Sequence, residues 1–117
     1  MSNMVYIVSD DDMMLRQDIQ PFLENEGFRA IFFKNFSLLY QAFKYKEGAL
    51  VILNTNSDGF KIAAEVRQIS NVPILLLTEQ DLNENYVTGI SIGVNTSLTM
   101  SANPQKLIAY IKALLFS

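Results

Sequence analysis

Along the chain the apolar positions change period repeatedly, from short continuous runs to helical spacing and back. Met4 to Val8 is a short apolar, partly β-branched run, followed at once by Ser9, Asp10, Asp11 and Asp12. From Met13 to Glu26 the spacing turns helical, with Leu15, Ile19, Phe22 and Leu23 recurring on one face. Asp11 or Asp12 suits the N-terminal cap of this helix and Gly27 its stop. Pro21 has no N–H to give, so it predicts a kink or a break inside the helix.

Phe28 to Phe33 reads as a second strand, and Asn35 or Ser37 caps a helix that ends near Gly48. Ala49 to Leu53 is apolar throughout, the mark of a strand buried on both faces. Asp58 to Ser70 reads as a helix with Ile62, Ala63, Val66 and Ile69 as its inner stripe. Val72 to Leu77 is a fourth strand, a polar helix runs from about Asp81 to Ile92, and Val94 to Leu98 is a weak fifth strand. Asn103-Pro104 opens the last helix, which continues to Leu115 or Phe116.

Strand and helix in strict alternation predict an α/β domain: a parallel sheet with helices on both faces and right-handed crossovers. Ligands bind such sheets beyond the carboxyl ends of the strands. The residues to read are therefore Asp10, Asp11, Asn54, Thr78 and Met100.

Composition narrows the chemistry. A chain of 117 residues, 50% hydrophobic, fits one domain spanning the whole length. It has no cysteine and no histidine, which removes disulfides, thiol nucleophiles, imidazole bases and most zinc sites. With a net charge of -3 and nine scattered basic residues, the segment is not built to bind a polyanion. The longest apolar run, Val72 to Leu77, is broken by Pro73 and is too short to span a bilayer. Met1 to Asp10 lacks the basic start and small-residue cleavage pattern of a secretory signal. A cytoplasmic domain is expected. The acidic triplet has two readings: oxygen ligands for a hard divalent cation, or a solvated loop with a helix cap.

Taken in order, several stretches resemble the receiver domains of bacterial response regulators, particularly the OmpR/PhoB type. Ile7 to Arg16 resembles the opening strand, acidic pair and first-helix entry of that family, and Val51-Ile52-Leu53-Asn54 its third strand. Asp58-Gly59-Phe60, Pro73 to Thr78, Gly89 to Val94, Asn103-Pro104 and Leu107 to Ile111 match later parts in the same order. The resemblance implies a flavodoxin-like (βα)5 fold, a doubly wound five-stranded parallel sheet of order 2-1-3-4-5 in a three-layer sandwich. It also implies signal transduction by phosphoryl transfer from a histidine kinase to an aspartate. In the family an acidic pair holds Mg²⁺, and a Thr hydroxyl and a Lys ammonium bind the phosphoryl oxygens.

Carried over by position, Asp10 and Asp11 match the acidic pair and Thr78 the hydroxyl. The phosphoacceptor falls on Asn54, the lysine on Met100, the proline after it on Ser101, and the aromatic switch residue on Ser97. The loop between Asn54 and Asp58 is short and lacks the Met-Pro pair of the family. An amide is too poor a nucleophile to form an acyl phosphate. The departures thus imply an atypical, phosphorylation-independent receiver with weak Mg²⁺ binding or none, no other cofactor, no catalytic residue and no productive kinase partner. Met100 either compensates for the lost charge or fills core space.

In OmpR/PhoB-type proteins the fourth helix, fifth strand and last helix form a dimer face. Tyr86, Val87, Ile90 and Tyr110 occupy the matching region, which implies a more apolar homodimer interface. The resemblance further implies an N-terminal regulatory domain whose winged-helix DNA-binding domain follows Ser117. Two other functions stay open: a receiver phosphorylated on Asp12 or Asp58 or governed by another ligand, and a small carboxylate-dependent enzyme.

Overall fold

The computed structural model describes residues 3–9, 12–54, 59–78, 96–99 and 104–116, with 78 and 96–99 described in the backbone only. Strand β1 spans Met4–Ser9, β2 Arg29–Phe33, β3 Leu50–Asn54, β4 Ile74–Thr78 and β5 Thr96–Thr99. All pair in parallel, in the order β2-β1-β3-β4-β5.

The central strands are apolar on both faces because both faces are covered. On one face Val5, Ile7, Leu50, Ile52, Leu75 and Leu77 pack with Leu15, Ile19 and Leu23 and with Leu107 and Ile111. On the other, Tyr6, Val8, Val51, Leu53, Ile74 and Leu76 pack with Leu39, Ile62, Ala63 and Val66. The alternation along each strand therefore divides one sheet between two cores.

The first helix, α1, is composite: a π-helical turn over Leu15–Ile19 runs into an α-helical part over Gln20–Asn25. Gln20 N–H bonds back to Leu15 O, and Pro21, which has no N–H to give, follows at the start of the α part, where the helical register changes. The predicted break is thus a change of helical register. Asp12 precedes the helix, its carbonyl accepting from Arg16 N–H at 2.8 Å. Gly27, at φ 89°, ends α1 in a Schellman turn, with Phe28 N–H on Leu23 O and Gly27 N–H on Glu24 O.

Helix α2 covers Phe36–Tyr45, and Asn35 caps it: Oδ1 accepts from Leu38 N–H at 3.0 Å. It stops short of the expected end near Gly48. The chain leaves helical geometry at Lys46, whose carbonyl accepts the Tyr6 phenol at 2.7 Å. Helix α3 covers Gly59–Ile69, with Ile62, Ala63 and Val66 buried as expected. Ile69 departs from the predicted inner stripe; it is 39% exposed, standing on the last residue of the helix where neither core reaches it. Arg67 Nη1 closes the turn after α3 by donating to Val72 O at 2.6 Å and Ser70 O at 3.3 Å, and burial lowers its pKa. The C-terminal helix spans Pro104–Leu115, with proline first. The predicted helix over 81–92 lies outside the described residues.

Candidate functional site

Asn54 is the last residue of β3, and in the parallel register it stands abreast of Ser9 in β1 and Leu77 in β4. Its side chain is 3% exposed, and it is the buried polar residue among an otherwise apolar set of described buried side chains. A buried amide needs hydrogen-bond partners to offset lost water. Asn54 Nδ2 donates to Ser9 Oγ at 3.2 Å. The contact follows from the fold: residues paired across parallel strands project to the same side, and alternate positions of β1 and β3 set Ser9 and Asn54 on one face.

The other predicted site residues are distributed around this pair. Thr78 ends β4, one register step past the residue abreast of Asn54, and pairs with Thr99. Ser97 pairs with Leu76, one step before that level, so its backbone lies deeper in the sheet than Asn54. Asp10 and Asp11 follow directly on Ser9, and Met100 follows directly on β5, but all three lie outside the described residues. So do Tyr86, Val87 and Ile90 of the expected dimer face, and Asp58. Tyr110, on the C-terminal helix, is 37% exposed.

Asp12 is committed elsewhere. Its Oδ2 accepts from Arg16 Nε at 2.9 Å, and the Arg16 guanidinium lies 3.9 Å from the centroid of the Phe32 ring. The pair is exposed and worth little in stability, but it holds the third carboxylate of the triplet against a cation. Among the described residues no group of three or more Asp, Glu, His or Cys is placed to hold a metal. At the strand ends the described side chains contribute a neutral amide, Asn54, and a hydroxyl, Ser9.

Sequence reasoning missed Ser9. It closes an apolar run and reads as an ordinary strand end; only the register of β1 on β3 gives it Asn54 as a neighbour. Also missed was Tyr6, which looks like a plain core aromatic. Its ring packs edge-on to Phe33 and Phe43, its phenol reaches Lys46 O and Met4 Sδ, and burial raises its pKa.

Comparison with known proteins points one way. The family model for the response regulator receiver domain matches residues 5–112. The chain is 30% identical over 115 residues to an uncharacterized transcriptional regulatory protein, YclJ, of Bacillus subtilis, covering 96% of this chain and 51% of that protein. It is 32% identical over 111 residues to the CpxR homolog of Haemophilus influenzae, covering 93% of this chain and 49% of that one. The chain thus spans about half the length of the curated relatives it matches. Among solved structures, a response regulator from Thermotoga maritima superposes with a TM-score of 0.84 at 14% identity, covering 100% of both chains. HP1043, described as an orphan response regulator of H. pylori, gives 0.82 at 17% identity over 97% of each chain. At such identities the likeness is one of fold.

Proposed function

Because the chain belongs to the response regulator receiver domain family, we propose that it is an OmpR/PhoB-type receiver whose output does not depend on aspartyl phosphorylation. One observation carries the reading. Where the family places a carboxylate nucleophile, the chain has Asn54, a neutral amide buried at the end of β3 and bonded to Ser9. The nitrogen lone pair of an amide is delocalised and its oxygen is weakly basic, so attack on a phosphoryl donor yields no stable acyl phosphate.

The electrostatics of the site follow. A neutral side chain at position 54 removes one charge from the neighbourhood of Asp10 and Asp11 and so lessens the need for a compensating cation. Met100 at the lysine position fits that change. Mg²⁺, which in the family neutralises the transferring phosphoryl group, is held here by Asp10 and Asp11 weakly, at about millimolar concentration or not at all. Asn54 and Ser9 occupy each other and hold the strand ends together.

The domain then serves as a dimerisation or partner-binding module in transcription regulation, and not as an enzyme. Tyr110, with Tyr86, Val87 and Ile90 in the matching face of the family, supplies an aromatic homodimer surface. DNA is contacted by a winged-helix domain C-terminal to this one, in keeping with relatives about twice as long. Among the described residues no helix is long and apolar enough to cross a membrane, and the proposed setting is cytoplasmic.

The test is incubation of the chain with acetyl phosphate and Mg²⁺, read by intact mass. No phosphoryl adduct is expected, and light scattering is expected to give the same oligomeric state with and without the donor. A stoichiometric adduct on the wild-type chain would overturn the proposal.

A further inference from the structure

The end of the sheet away from Asn54 holds a second polar contact within the core. Tyr6 is buried, and its phenol has one proton with two acceptors in reach: Lys46 O at 2.7 Å and Met4 Sδ at 3.1 Å. A thioether sulfur is a weak acceptor, so the carbonyl holds the phenol. Met4 opens β1, stands partly exposed beside the core that contains Tyr6, and through its own carbonyl accepts from Ala49 N–H at 2.8 Å. Met4 and Tyr6 thus clasp the connection from α2 to β3 at both ends, at Lys46 and at Ala49. The Tyr6 ring has little freedom. It is wedged edge-on against Phe33 and Phe43, and a Cβ on Gly48 would lie 2.9 Å from its Cδ2. The phenol therefore cannot swing without moving the connection. The chain has no cysteine, which leaves methionine as its oxidisable sulfur.

We propose that Met4 is a peroxide-sensitive latch on the α2–β3 connection. The Met4 sulfur lone pair attacks the terminal oxygen of a hydroperoxide. An S–O bond forms, the O–O bond breaks, and the proton on the attacked oxygen passes to the departing one, which leaves as water or an alcohol. Sulfur is oxidised by two electrons and the peroxide is reduced. The product replaces a weak, apolar acceptor with a polar oxygen beside the phenol. Sulfur and phenol are already 3.1 Å apart, so the added oxygen has no room between them and the two side chains must shift. The phenol proton follows the sulfoxide away from Lys46 O, and the clasp opens at its Lys46 end. Sulfoxide reduction returns the thioether and closes it again, which makes the latch reversible.

The test treats the whole chain with hydrogen peroxide. Peptide mass mapping follows oxygen addition at Met4, with Met13, 65% exposed, as the accessible reference. Amide hydrogen exchange at Ala49 reads the connection. It is expected to quicken about tenfold once Met4 is oxidised and to slow again after treatment with methionine sulfoxide reductases. Met4→Leu conserves volume and is expected to exchange slowly at Ala49 before and after peroxide. Tyr6→Phe lacks the phenol, so its Ala49 exchange is expected to be fast already, with peroxide adding less than about twofold. Four results would overturn the inference: Met4 still reduced when Met13 is fully oxidised, Ala49 exchange unchanged by Met4 oxidation, the same quickening in Met4→Leu, or a tenfold effect of peroxide in Tyr6→Phe.

Discussion

Replacing Asn54 by aspartate is isosteric, and its effect on stability can be worked from the structure. The side chain is 3% exposed, so the introduced carboxylate loses nearly all its water. Full burial raises a carboxyl pKa by about 3 units, equivalent to about 4 kcal/mol against the ionised form. Ser9 Oγ, now accepting from Nδ2 at 3.2 Å, is free to turn its proton towards the carboxylate. A charge-assisted bond of that kind returns about 2 kcal/mol. The net loss is about 2 kcal/mol at neutral pH, before any repulsion from Asp10 and Asp11. The sign with pH is definite. A folded-state pKa raised above the unfolded value of about 3.9 means that the folded state holds the proton more tightly, so the loss is absent below about pH 4 and grows as pH rises through the folded pKa. Urea denaturation of Asn54→Asp and wild type at pH 4 and pH 7.5 measures it: the wild-type-minus-variant difference should be under about 0.5 kcal/mol at the lower pH and about 2 kcal/mol at the higher. A difference that is equal at both pH values, or near zero at pH 7.5, would refute the argument that position 54 is dry and arranged for a neutral group.

Three further outcomes test the packing. Tyr6→Phe removes the phenol that donates to Lys46 O at 2.7 Å and should cost about 1 kcal/mol in urea denaturation. Because burial raises the Tyr6 pKa, wild-type stability should fall as pH climbs above about 10, a fall that weakens in the variant. Gly48→Ala places a Cβ 2.9 Å from Tyr6 Cδ2 and 3.3 Å from Met4 O, against a ring already held between Phe33 and Phe43; a lower thermal midpoint is expected, with a cost of about 1–3 kcal/mol. Asn35→Ala deletes the α2 cap and should cost about 1 kcal/mol, while Asn35→Asp should retain most of it.

Much of the framework was legible because its signals are local. The runs at Met4 to Val8 and Ala49 to Leu53 are apolar at successive positions, which only strands covered on both faces require, and the structure divides them between two cores. Pro21 and Gly27 each impose a backbone demand that one residue reveals. What stayed hidden depends on register and reach. Ile69 has the right spacing for a buried stripe, but spacing does not tell where the opposing core ends. Ser9 carries no signal until β1 is set beside β3. At the site, Asn54 was found because it breaks a resemblance, whereas the bond that steadies it was not readable from the chain.

Strands apolar on both faces have a consequence for alignment. A strand with one wet face reports a one-residue slip at once, because its polar side chains would turn inward. In β1 and β3 such a slip merely exchanges one apolar set for another. Ser9 and Asn54, abreast at the far end, break that degeneracy. Shifted by one position, the buried amide would face hydrocarbon and lose its bond, at a cost of about 1–3 kcal/mol. Asn54, the one buried polar residue among the described side chains, thereby marks the place at which the two central strands must stop.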